Sequence, residues 1–152
     1  MWRNSSRNVK VTPMKKKRTE SSTSESTARG TLASHGLKRA PAIFFRTAAG
    51  NEPVREWLKA ISPEDRLRIG EDIRTVEYGW PIGMPACRPL GNGLHEVRTS
   101  LAGNRIARVF FYIDARQQMV LLHGIVKKTQ ATPVADLELA RKNKVRHERG
   151  IE

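Results

Sequence analysis

Five side chains within residues 90–133 have the chemistry to hold a phosphate and move a proton beside it. The segment reads LGNGLHEVRTSLAGNRIARVFFYIDARQQMVLLHGIVKKTQATP. Two Gly/Asn turn signals frame three β-like runs, and each run carries a cation or a histidine inside it. These are Arg98, then Arg105 and Arg108, then His123 followed by Lys127 and Lys128. RNA cleavage without a metal needs a base for the 2′-hydroxyl proton, cations for the charge on the phosphorane, and an acid for the leaving 5′-oxygen. Histidine serves as acid or base near neutral pH. Arginine pairs bidentately with phosphate oxygens, and lysine supplies a point charge. Arg98, Arg108, His123, Lys127 and Lys128 make such a set.

The same residues have plainer uses. A histidine on a strand is more often structural than catalytic. Arg98, two residues from Glu96, is equally half of a surface ion pair. Lys127 and Lys128 read also as a solvated strand end, and Lys142, Lys144 and Arg146 as a solvated helix face. The four histidines (His35, His95, His123, His147) and Cys87 lack metal-ligand spacing, so neither a metal nor a cofactor is expected. No phosphate-cradling or dinucleotide glycine motif is present.

Strand parity groups these side chains. Leu94, Glu96 and Arg98 share one face of their run. Ala107, Val109, Phe111 and Ile113 share the core face of the next, with Arg108, Phe110 and Tyr112 on the other. Leu121, His123 and Ile125 share a face of the last. A sheet half-covered by helices, with part of one face open, would collect Arg98, Arg108 and His123 on the open part. His95 falls on the opposite parity.

The elements that must position them follow from the hydrophobic periods. Residues 42–46 (AIFFR) form a first strand. Residues 52–61 form a helix with Val54, Trp57, Leu58 and Ile61 on one face. Ser62, Pro63, Glu64 and Asp65 are an N-cap, a first-turn proline and two dipole-compatible acids, and they begin a second helix that runs to about Tyr78. Gly79 stops it and Pro81 follows. Residues 79–93 read as a loop. Strands follow at about 94–100, 105–113 and 119–126. Thr132 and Pro133 then open a basic helix that runs to about His147. The expected order is β-α-α-β-β-β-α, a small antiparallel sheet with an N-terminal αα-hairpin and a C-terminal helix, of class α+β.

The 152-residue chain carries a net charge of +13. Residues 1–40 hold ten Lys/Arg against two Glu, and almost no large apolar residues. Their composition (TESSTSEST at 19–27, Lys15 to Arg18) predicts a disordered basic tail, with a folded domain over 41–152. A basic domain favours an anionic partner. One cysteine rules out an internal disulfide. No run reaches transmembrane length and the first residues lack a signal-peptide core, so a cytoplasmic location without membrane contact is expected.

From Ala42 to about Arg149 the chain resembles the RelE/ParE superfamily of toxins of bacterial type II toxin–antitoxin systems, in its phage-derived, HigB-like branch. The residues that carry the resemblance are LGNGLHEVR (90–98), RIARVFFY (105–112), LLHGIVKKT (121–129) and the Thr132-Pro133 helix start. It implies a RelE-like fold and an endoribonuclease that cuts mRNA, usually on the translating ribosome. It also implies a cognate helix-turn-helix antitoxin that neutralises it. The alternative within the superfamily is a ParE-like toxin that inhibits DNA gyrase by protein binding. On the ribonuclease reading Arg98, Arg108, His123 and Lys128 are catalytic, and Arg105, Tyr112 and Lys127 bind RNA. The strand-end position that members fill with histidine or arginine is taken by His123 or by Lys127 and Lys128. The basic tail lies outside the resemblance.

Overall fold

The computed structural model describes residues 37–129 and 131–150. The expected disordered tail, its basic run and His35 therefore lie outside the described residues, apart from the last few positions before Pro41.

The elements in chain order are β1 (Ala42–Phe44), α1 (Pro53–Ala60), α2 (Pro63–Gly79), β2 (Cys87–Gly91), β3 (Leu94–Leu101), a 3-10 turn (Ala102–Asn104), β4 (Arg105–Ile113), β5 (Met119–Lys127) and α3 (Val134–Glu148). The five strands form one sheet in the order β1-β5-β4-β3-β2. β2 to β5 pair antiparallel, whereas β1 lies parallel to β5 with Ala42 opposite Met119. The sheet is thus mixed, and it has one more strand than the sequence pattern predicts.

The extra strand is β2. Its sequence, CRPLG, has no alternation and holds a proline, so it reads as loop. It survives because it is an edge strand, where a missing N–H costs nothing in the ladder. β1 and β5 pair in parallel because the αα-hairpin and three further strands intervene, a crossover that period alone does not reveal.

α1 and α2 cover one face of the sheet. Val54 of α1 and Ile69, Ile73 and Val76 of α2 are buried against Val97, Ala107, Val109, Phe111 and Leu121. Trp57 and Leu58 pack partly buried on the same core. The Ser62 hydroxyl caps α2 by accepting from the Asp65 amide at 3.2 Å. The Arg66 guanidinium satisfies the last turn of α1, donating to the carbonyls of Leu58, Lys59 and Ile61 at 2.8, 3.3 and 3.0 Å. Glu77 near the end of α2 anchors the lead-in to β1. Its carboxylate accepts from the Ala42 amide at 2.7 Å and meets the Lys38 ammonium at 3.1 Å, while its carbonyl accepts from the amides of Arg39 and Ala40.

α3 crosses the other face. Ala140 packs there on Phe45, Leu94, Phe110, Tyr112, Val120, Leu122 and Ile125. The Asn143 side-chain amide donates to the Leu122 carbonyl at 3.0 Å, and Arg141 donates to the carbonyls of Leu90 and Gly91. The expected threonine N-cap is not used. Pro133 occupies the cap position without a side-chain bond, and the Thr132 hydroxyl instead donates to Glu96.

One register detail alters the parity reading. Phe110 pairs with His123, but the next residue, Phe111, pairs with Leu121. Leu122 is an extra residue, a bulge in β5. Leu121 therefore faces α1 and α2, while His123 and Ile125 face α3. The three residues expected on one face are divided by that bulge.

Candidate functional site

The sheet face under α3 has three cross-strand rows toward one end. Glu96, Phe110 and His123 form the first; Arg98, Arg108 and Ile125 the second; Ser100, Ile106 and Lys127 the third. β2 adds Arg88 beside Glu96. Four of the expected site residues, Arg98, Arg108, His123 and Lys127, do reach this common face.

Glu96 is the centre of the cluster. Its side chain is wholly buried, and three guanidiniums gather on its carboxylate. Arg98 Nε lies 3.7 Å and Arg88 Nη1 3.8 Å from Oε2, and Arg108 Nε lies 3.8 Å from Oε1. The Thr132 hydroxyl donates to Oε1 at 3.1 Å and so ties the start of α3 to the same carboxylate. A buried carboxylate cannot bind an anion. It can draw together donors whose outer edges then face one. The side chains of Arg88 and Arg98 are 45% and 25% exposed, so they carry those edges.

Arg108 differs from expectation. It shares the face, but its side chain is fully buried rather than open. It donates from Nη2 to the Thr129 carbonyl at 2.9 Å and so fixes the chain just after Lys127 and Lys128. Burial lowers its pKa, Glu96 opposes that, and the neighbouring Arg98 and Arg88 add to it. Lys127 ends β5 and Lys128 follows it, both exposed.

His123 sits one strand away from Glu96's partner, stacked on Phe110 with ring centroids 5.9 Å apart and planes 11° from parallel. Its Nε2 is 2.7 Å from Asp136 Oδ1 in the first turn of α3. A carboxylate on one ring nitrogen fixes the orientation and favours the tautomer with the proton on that nitrogen. The other nitrogen is then the one that accepts. With Arg108 one diagonal step away, at the roughly 7–8 Å of diagonal cross-strand neighbours, a group bound over the arginines lies within a short reach of this imidazole.

Two expected RNA contacts are elsewhere. Arg105 donates to Asp65 on α2 through both terminal nitrogens, at 2.8 and 3.1 Å, and from Nε to the Ala102 carbonyl. That bidentate pair holds the Asp65 carboxyl below its ordinary pKa and raises that of Arg105. Arg105 therefore joins the sheet to α2, away from the cluster. Tyr112 lies at the other end of the α3 face, buried, with its hydroxyl 2.6 Å from His147 Nδ1. Burial, with Glu148 and Asp114, pushes its pKa up to about 12. His95, left out on parity, stacks on Phe111 and meets the edge of Trp80, and burial lowers its pKa.

Glu96, Arg88 and Asp136 are the residues that sequence reasoning missed. Glu96 was legible as a partner of Arg98 but not as a buried centre. Arg88 was hidden in what read as loop. Asp136 had a signal, an acid four positions after the Thr132 helix start, but nothing tied it to His123. Among the described residues no three His, Cys, Asp or Glu side chains gather as a metal site, and no helix is long and apolar enough to cross a membrane.

The family model described as "Phage derived protein Gp49-like (DUF891)" matches residues 56–145, which include α2, β2 to β5, most of α3 and all the cluster residues. The chain belongs to that family. No curated protein matches it.

Proposed function

We propose that this Gp49-like, phage-derived protein is the toxin of a type II toxin–antitoxin pair, of RelE-like fold, and that it cleaves mRNA through the face under α3. Family membership supports the toxin half of this reading. The observation that carries the chemical half is the gathering of Arg88, Arg98 and Arg108 on Glu96, beside an imidazole braced by a carboxylate.

The roles follow from exposure. Arg88, Arg98, Lys127 and Lys128 contact the phosphate, because their side chains reach solvent. Arg108 and Glu96 position them and do not touch RNA. His123 exchanges a proton at its other ring nitrogen, with Asp136 holding the ring in place. Translating mRNA is the substrate, and a helix-turn-helix antitoxin is the partner that silences the site. The balance of charges over the scissile phosphate is supplied by side chains, so the reaction needs no metal.

A second reading draws on a different surface. Val134 and Val145 lie exposed, 69% and 41%, on one side of α3, as a protein-binding toxin of the gyrase-inhibitor kind requires. Expression of the full chain separates the two. The ribonuclease reading expects growth arrest with cut mRNA in the presence of chelator, and about 10²–10³-fold slower cutting by Arg98→Ala. Arrest with intact mRNA and altered DNA supercoiling overturns it in favour of the second.

A further inference from the structure

β2 starts at Cys87, opposite Val97. Beyond that point β3 runs on from Arg98 to Leu101 without an edge partner in β2. The corner left open is closed on one side by α2 and on the other by the loop before β2. Between them is a pocket of about 230 Å³, lined by Asp72 and Thr75 of α2, by Ile82, Met84 and Pro85 of the loop, and by Arg98. Arg98 thus belongs to two places at once. Its Nε faces Glu96 in the arginine cluster, and the residue also lines the pocket.

The pocket has a built polar end and an apolar flank. The buried Thr99 hydroxyl donates to Asp72 Oδ2 at 2.7 Å and holds the carboxylate in place. A carboxylate only accepts hydrogen bonds, and each of its oxygens takes more than one. Asp72 therefore keeps accepting capacity toward the pocket. The Cys87 thiol donates to the Ile82 carbonyl at 2.9 Å and so holds the loop that carries the apolar flank. Met84, 65% exposed, and Ile82 and Pro85 supply the apolar surface on which a flat ring lies.

We infer that this pocket holds the nucleobase next to the phosphate bound at the arginine cluster, and that it selects guanine. The inference rests on the proposed RNA-binding role of the cluster and adds its specificity. Proteins read single-stranded RNA by stacking a splayed base and hydrogen-bonding its Watson–Crick edge. Among the four bases only guanine presents two adjacent donors there, N1–H and the 2-amino group, which match one carboxylate. Adenine and cytosine offer a single amino group, and uracil a single ring N–H. A base on Met84 with its edge on Asp72 leaves its own phosphate on the Arg98 side, where the cluster begins.

The test uses the purified full chain and 2′-O-methyl RNA trimers, which cannot be cut, identical except for a central G, inosine, A, C or U. The expected result is binding of the G trimer about tenfold tighter than the inosine trimer, which lacks only the 2-amino group. Asp72→Asn should bring the two within about twofold of each other, with Arg98→Ala weakening every trimer alike. Met84→Ala, at an exposed position that folding does not depend on, should weaken the purine trimers several-fold and keep the G preference. Equal binding of all five trimers, or a G preference that survives Asp72→Asn, overturns the inference while leaving the cluster as an RNA site. Absence of binding to every trimer overturns both. Binding with the expected preference by a chain that cuts no message keeps the pocket and removes the nuclease.

Discussion

The two faces of the sheet are built by opposite rules. Under α1 and α2 the sheet presents Val97, Ala107, Val109, Phe111 and Leu121, and its polar contacts, Arg105 with Asp65 and Thr99 with Asp72, tie it to the helices above. Under α3 the same strands bury Glu96 and Arg108 completely and hold His123 against Asp136 and Tyr112 against His147. Burying charge costs several kcal/mol per ion before pairing offsets it. An apolar filling of similar volume would be as stable or more so. The first face thus pairs its charges one to one with a helix, Arg105 with Asp65, whereas the second gathers three guanidiniums on one buried carboxylate.

The sharpest way to break that contrast is Glu96→Gln. It leaves the buried Arg108 beside a neutral amide, and we expect a loss of about 3 kcal/mol, read from denaturant unfolding. A variant as stable as the parent would mean that charge balance does not hold the α3 face together.

The next effect is a pH dependence confined to the same face. Tyr112 in the folded chain releases its proton at about 12, against 10.0 for the free side chain. The folded state therefore holds more protons than the unfolded state between these values. Its contribution is fully present below pH 10 and is lost as pH rises toward 12, by roughly 2–3 kcal/mol. Thermal melts across this window should show the decline in the parent and a shallower one in Tyr112→Phe. Identical slopes would remove Tyr112 from the account.

The smallest effect tests the apolar face. A Cβ on Gly124 would stand 2.5 Å from two ring carbons of Trp57. Gly124→Ala should therefore cost about 1–2 kcal/mol by overpacking, without changing RNA binding. A loss of RNA binding at unchanged stability would show that the two faces are coupled.

The helices, the three long strands and the placing of Arg98, Arg108 and His123 on one face were legible, because each follows from a period of 3.6 or 2. What was not legible depends on pairing. The bulge at Leu122 splits Leu121 from His123, and no alternation in LLHGI marks it. Arg105 and Tyr112 have the right residue types, but Asp65 and His147 claim them from distant parts of the chain. Arg108 was legible in facing but not in depth, since the Thr129 carbonyl meets it from beyond β5 and Glu96 from β3. Arg88 stands in a strand whose proline and glycine imitate a loop.

The parallel pairing of β1 with β5 sets an order of assembly. The first strand made is the neighbour of the last, so as the chain emerges during synthesis β1 has no strand to join until β5 is complete. Such long-range closures come late in folding. Glu77 supplies a provisional berth. Its carbonyl and carboxylate hold Arg39, Ala40 and Ala42 through contacts made before any strand after β1 is synthesised. The hairpin can therefore carry β1 already aligned, waiting for the strand that completes the sheet. The face under α3 likewise waits for the end of the chain, since Asp136 and Thr132 at the start of α3 close onto His123 and Glu96. The surface proposed to meet RNA is thus completed by the helix synthesised last among the described elements.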